Sequence, residues 1–227
     1  MRVALISDLH GNDLALRQVL ADIDDFGVDR VVCLGDTATL GARPREILER
    51  LEDRGITTIQ GNHDDFLLRP ELVESYSEAP IIAEAVAWCR AELAERHFEF
   101  VRAFVSHLDV ELDSRRTLRL YHGSPRSHME DLLVSTPTEV LDEFVTHPAV
   151  AFAGGHTHVA MLRQHKGKLF INPGSVGMPF LEYVHGRAPT LLAHAEWACV
   201  ESRPSGISVQ LQRVDLDADV DALLGLL

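Results

Sequence analysis

Short apolar runs alternate with periodic amphipathic stretches over the first sixty residues. Residues 2–7 form a continuous apolar run, as in a strand covered on both faces. Leu14, Leu16, Val19, Leu20, Ile23 and Phe26 recur near the 3.6-residue period. They predict a helix with Asp13 as its N-cap and Gly27 at its end. Residues 30–34 read as a second buried strand, and Pro44 suits the first turn of a helix over 45–54, closed by Gly55. Residues 57–60 read as a third strand, followed by Gly61-Asn62-His63-Asp64-Asp65 as a loop. Three βα units in succession predict parallel neighbours with right-handed crossovers.

The pattern changes at 66–107, where Ile81, Ile82, Ala85, Val86, Cys89 and Leu93, then Phe98, Val101, Phe104 and Val105, suggest two helices. This insertion is expected to cap a cleft and to read substrate shape. Residues 108–112 and 118–121 read as antiparallel strands. Thr136-Pro137-Thr138-Glu139 reads as a capping box opening a helix to about Thr146. A buried strand over 149–153, a hairpin of 159–164 with 168–171 about Lys166-Gly167, late paired strands over 190–200 and 207–214, and an amphipathic tail over 220–227 complete the chain. No internal repeat or low-complexity linker interrupts it, so a single domain over residues 1–227 is expected.

Composition narrows the setting. The 227 residues are 46% hydrophobic, enough for one sizeable core. No run reaches the roughly 18 apolar residues of a membrane span. The N-terminus meets Asp8 too early for a signal peptide, so a cytoplasmic location is the expectation. Cys33, Cys89 and Cys199 form no CxxC pair and read as reduced, buried thiols. With 21 basic against 35 acidic residues the net charge is −14, which argues against binding nucleic acid polymers. The partners expected are small phosphate esters, with no membrane, and a homo-oligomer remains open. Twelve histidines are many for this length and point to metal or proton chemistry.

That chemistry is concentrated after the strands. Five strand ends carry Asp8 and His10; Asp36; Asn62, His63 and Asp64; His122; and His156 and His158. In an extended strand end, residues two apart point the same way, which suits Asp8 and His10 as ligands of one ion. Carboxylate, imidazole and amide without thiolate suit Mn²⁺, Fe²⁺, Zn²⁺, Co²⁺ or Ni²⁺. Seven candidate ligands exceed one tetrahedral ion and suit two ions roughly 3.5–4 Å apart with a shared carboxylate.

Asp8-x-His10, Gly35-Asp36, Gly61-Asn62-His63-Asp64, His122 and Gly155-His156-Thr157-His158 together resemble the five blocks of the calcineurin-like metallophosphoesterase superfamily. The chain is similar to its small prokaryotic phosphodiesterases of the YfcE kind, from residue 1 to about 180. The resemblance implies a four-layer α/β/β/α sandwich of two mixed sheets. It implies that Asp8, His10 and His158 bind one metal, that Asn62, His122 and His156 bind a second, and that Asp36 bridges them, with manganese favoured. A metal-bridging hydroxide would attack phosphorus. His63 would be the general acid with Asp64 orienting it, and Asn12 would line the phosphate pocket. Two divalent ions bring about +4 and the two aspartates remove about 2, so the cleft can hold an anion despite the acidic exterior. The expected function is a phosphodiesterase. The alternatives are a non-catalytic metal-binding scaffold of the same fold, as in a retromer subunit, and a phosphomonoesterase or protein phosphatase.

Overall fold

The apolar run at the N-terminus becomes β1 (Arg2–Ile6), with side chains used on both faces. Val3 and Leu5 pack toward a second sheet, while Ala4 and Ile6 pack against helices. The structure is a computed structural model and describes residues 1–73, 80–184 and 186–216. The expected tail over 220–227, His185 and residues 74–79 of the insertion lie outside the described residues.

Two five-stranded mixed sheets form the centre. In the first, β1 pairs in parallel with β2 (Arg30–Cys33), which pairs in parallel with β3 (Thr57–Thr58). The late strands β9 (His194–Arg203) and β10 (Gly206–Asp215) extend it antiparallel on the other side of β1. The second sheet runs in the order β4 (Leu108–Asp113), β5 (Arg116–Leu120), β6 (Ala151–Ala153), β8 (Lys168–Asn172), β7 (Met161–His165). Val32, Leu34 and Ile59 from one side and Leu118, Leu120 and Ile171 from the other fill the space between the sheets.

Helices cover both outer faces, giving the α/β/β/α order. α1 (Asp13–Phe26) and α2 (Pro44–Asp53) bury Leu16, Val19, Ile23, Ile47 and Leu51 on the first sheet. α3 (Asn62–Leu68), α4 (Pro80–Glu92) and α5 (Glu95–Arg102) form a neighbouring layer around Leu67, Cys89 and Val101. α6 (Thr138–Phe144) places Leu141 and Phe144 on Phe152 and Phe170 of the second sheet. All three cysteines are free and buried. Among the described residues, no helix is long and apolar enough to cross a membrane.

Three local readings need correction. The N-cap of α1 is Asn12, whose side chain accepts from the Ala15 N–H, while Asp13 starts the helix and pairs with Arg50 at 2.7 Å. Gly61-Asn62-His63-Asp64 is not a loop: α3 begins at Asn62, with Asp64 reaching back to the Gly61 N–H as a capping side chain. Thr136 forms no capping box; its hydroxyl accepts from the Leu133 N–H, a local turn that competes with helix capping.

Candidate metal centre

The polar clusters that follow β1, β2, β3, β5 and β6 meet at one edge of the sandwich. The backbone ties them together before any side chain does. The Asp8 N–H donates to Gly35 O at 2.9 Å, and the His10 N–H to Asp36 O at 3.1 Å. The Gly155 N–H donates to His122 O at 2.7 Å, and Val176 and Gly177 hold the carbonyls of Ser7 and Asp8.

The ligand pairs are not aimed by extended strand. β1 stops at Ile6 and β6 at Ala153, and Asp8 (φ 53°), His10 (41°), Asp36 (56°), His156 (69°) and His158 (56°) all adopt left-handed backbone. Such conformations cost free energy in non-glycine residues and cluster where the surroundings enforce them for a purpose. Among the described residues, the other non-glycine cases are Leu40 and Lys166.

All seven residues expected to hold metal come together. Asp8, His10 and His158 form one buried triad, and Asp36, His122 and His156 another. His10 Nε2 lies 3.1 Å from His158 Nε2, which lies 3.4 Å from Asp8 Oδ1. Asp36 Oδ2 is 3.3 Å from His122 Nε2 and 3.9 Å from His10 Nε2, so it stands between the triads. Asn62 Oδ1 completes the second group at 3.1 Å from His122 Nε2. Glycine is needed for this closeness: a Cβ on Gly61 would overlap Asp36 Oδ1, and one on Gly155 would overlap Ser7 Oγ.

These donors fit cations. His122 Nδ1 lies 2.7 Å from Leu34 O and His158 Nδ1 2.7 Å from Met178 O, contacts that require an N–H on Nδ1. In the neutral rings Nε2 is then a bare lone pair, and both lone pairs face other acceptors. A cation between them removes the conflict, and the Nδ1 bonds are those that orient metal-binding imidazoles. The Asn62 amide nitrogen is buried without a hydrogen-bond partner, an unmet donor that suits an anionic ligand beside the cations.

Protons take up the same role in the metal-free protein. Burial pushes His10 down to about 3 and His63 down to about 4. Burial pulls on His122 as well, but Asp36 and Asp8 overcome it and raise this ring to about 9. Against the same pull of burial, Asp8 raises His158. Burial favours protonated Asp36 and Asp8, yet His122 and His158 hold both carboxyls below the usual carboxylate range.

His63 belongs to neither triad and lines a cavity of about 610 Å³ together with His10, His156 and His158. Asp64 does not orient it. Successive helical side chains diverge by about 100°, and the Asp64 carboxylate turns back to accept from the N–H groups of Asp36 (2.8 Å), Thr37 (2.9 Å) and Gly61 (2.9 Å) and from the Thr37 hydroxyl (2.6 Å). The residue at His63 Nδ1 is Thr39, with Oγ1 at 2.9 Å and also 3.4 Å from His10 Nδ1. Nor does Asn12 face the cavity: its amide caps α1 through Oδ1 and donates to Gly177 O at 3.1 Å through Nδ2. Two site residues thus escaped the sequence reading. Thr39 lies in a loop just past Gly35-Asp36, where its hydroxyl was a detectable polar signal. Asp131, 3.2 Å from His156 Nε2, follows no strand and gave none. Among the described lining residues the 66–107 insertion supplies Ile82, and 178–191 supplies Met178, Phe180, Tyr183 and Leu191.

Residues 1–193 match the family model described as calcineurin-like phosphoesterase superfamily domain. The chain belongs to that superfamily. A metallophosphoesterase from Sphaerobacter thermophilus is similar in structure, with a TM-score of 0.72 and 26% identity over 100% of this chain and 94% of the other. The hypothetical protein PH1004 from Pyrococcus horikoshii OT3 shares the fold with a TM-score of 0.82 at 17% identity, covering 99% and 92%. The YfcE phosphoesterase from E. coli shares it with a TM-score of 0.50 at 19% identity, covering 96% and 100%. Superfamily membership supports a hydrolase.

Proposed function

We propose that this chain is a cytoplasmic phosphodiesterase that works with two divalent cations, manganese favoured, on small phosphate esters. The observation that supports it best is the place of Asp36 between the two triads, with His63 on the cavity floor beside them. Asp8, His10 and His158 would hold one ion, Asn62, His122 and His156 the other, and Asp36 both. Ions held there would supply positive charge for the phosphoryl oxygens and a water acidified toward neutral pH.

The chain's own groups supply the rest. The His63 N–H donates to Asp36 Oδ1 at 2.8 Å, which fixes the shared carboxylate from the start of α3. The His63 ring gives a proton to the departing alcohol oxygen. Burial lowers its basicity, and an anionic ester beside the ring would oppose that shift. No lysine or arginine is among the described lining residues, which favours a singly charged diester over a doubly charged monoester.

Turnover of an aryl phosphodiester by manganese-reconstituted protein tests this reading. His63→Ala should lose at least about 100-fold in kcat, within the range of general-acid loss. Undiminished turnover removes His63 from the chemistry. Asp36→Ala should lose metal, and elemental analysis finding both ions at full occupancy refutes the shared carboxylate.

A further inference from the structure

The cavity above the two triads is far larger than a phosphoryl group and within the roughly 300–1,000 Å³ range of small-molecule sites. Its floor is imidazole, and its wall is apolar: Leu40, Ile82, Met178, Phe180, Tyr183 and Leu191. The wall is a built surface. Phe180 bridges to Leu191 in antiparallel fashion, the Leu181 N–H donates to Thr190 O at 2.9 Å, and the Leu192 N–H donates to Pro179 O at 2.9 Å. This ribbon is pinned to the floor by the Phe180 N–H, which donates to His158 O at 3.1 Å, and by the Phe180 ring stacked 4.2 Å from the His158 ring.

Among the described lining residues the ionisable side chains outside the histidine floor are Asp131 and Tyr183, and the Tyr183 hydroxyl donates to Asp131 Oδ1 at 2.7 Å. That same oxygen faces His156 Nε2 at 3.2 Å. Arg187, the nearest guanidinium in the ribbon's loop, is engaged with Glu182 at 3.1 Å.

We infer that the ester accepted here carries an uncharged apolar alcohol, aromatic or alkyl, as the group that stays on phosphorus, seated on the Phe180–Leu191 ribbon. This inference rests on the phosphodiesterase reading above and specifies its substrate class. Among the described lining residues no lysine or arginine stands ready to receive a further phosphate or carboxylate, which disfavours esters that carry one. The apolar group is held by burial against the ribbon, while the single phosphoryl charge is held by the floor.

The test varies the retained group at constant leaving group. Methyl p-nitrophenyl phosphate and phenyl p-nitrophenyl phosphate are compared with manganese-loaded protein, both as wild type and as Leu191→Asp. Leu191 is 42% exposed and lies at the far edge of the wall. The expected wild-type kcat/KM is at least about tenfold higher for the phenyl ester, mostly through KM, as burial of a ring's apolar area predicts. In Leu191→Asp that ratio should fall at least about threefold, the phenyl ester losing more than the methyl ester. Equal ratios in the two proteins, or no phenyl preference in wild type, overturn the inference. Calorimetric binding of the unreactive methyl phenylphosphonate and methyl methylphosphonate separates the two readings. If neither ester turns over, the hydrolase reading fails, and at least tenfold tighter binding of the phenyl compound still supports the apolar seat. Equal binding overturns it.

Discussion

The Asp36 N–H donates to Asp64 Oδ2 at 2.8 Å, so the carboxylate next in sequence to His63 acts on the residue between the triads and not on the imidazole. Asp64 accepts four hydrogen bonds in a site with no solvent exposure. Asparagine offers one oxygen there and turns an amide N–H toward existing donors. Asp64→Asn should therefore cost about 2 kcal/mol of stability, the penalty of a buried unsatisfied group, and should lower metal content along with turnover. Urea denaturation and elemental analysis check this. Normal stability and two retained ions in an inactive variant would return Asp64 to the role of orienting His63.

Thr39 carries the contact that Asp64 lacks. Its hydroxyl stands 2.9 Å from His63 Nδ1, buried beneath the cavity floor. Thr39→Val removes that oxygen at similar volume. Both ions should stay bound while turnover falls about tenfold or more, as for a displaced proton donor. The loss should be larger for alkyl than for nitrophenyl leaving groups, because a poor leaving group needs the proton more. Thr39→Ser should restore most of the rate. A uniform loss across leaving groups would mean that Thr39 supports the fold and not the ring.

What could be read from the sequence follows from what is local. Apolar runs and 3.6-residue periods located β1, β2, α1 and α2, and the polar residues after each strand gave all six members of the two triads and Asn62 beside them. Gly61-Asn62-His63-Asp64 misled because it is good turn chemistry. The acid three residues after Gly61 was the helix-start signal, and it also explains where the Asp64 side chain goes. Asp131 and the 178–191 ribbon were illegible for another reason. Their places depend on contacts with His156 and His158, residues set by other strands, and no periodicity records such contacts.

Removing the metals should leave a protein whose stability peaks near pH 6.5. His122, raised to about 9 in the folded chain, binds a proton that the unfolded chain has released above about 6.5. Its contribution is complete below that pH and is lost as pH climbs toward 9. His10 and His63 act in the opposite sense, lowered to about 3 and about 4. Below pH 6.5 the unfolded chain binds protons on them that the folded chain refuses, so stability falls again as pH drops. Chemical denaturation of chelator-treated protein across pH 4–9 measures both limbs. Metal binding at pH 7 should also release protons, chiefly from His122, as a buffer-dependent heat in titration calorimetry. A flat stability profile, or metal uptake without proton release, would contradict these assignments.

Gly155 shows why the cage tolerates so little change in the backbone around it. A Cβ there would overlap Ser7 Oγ and stand 2.5 Å from Asp8 Oδ2, both in atoms shut off from solvent. The Asp8 carboxylate is held in place by the His156 N–H at 3.0 Å, so it cannot retreat without giving up that bond. Gly155→Ala should push Asp8 out of line with His10 and His158. Because the two strands meeting here also anchor the sheets, the variant should remain folded but bind the first ion at least about tenfold more weakly, as displacement of a ligand-orienting contact does. Metal titration followed by circular dichroism of the same sample separates the two effects. Unchanged affinity would mean that the loop after β6 can shift as a unit, and that the positions of Asp8 and His156 are set elsewhere.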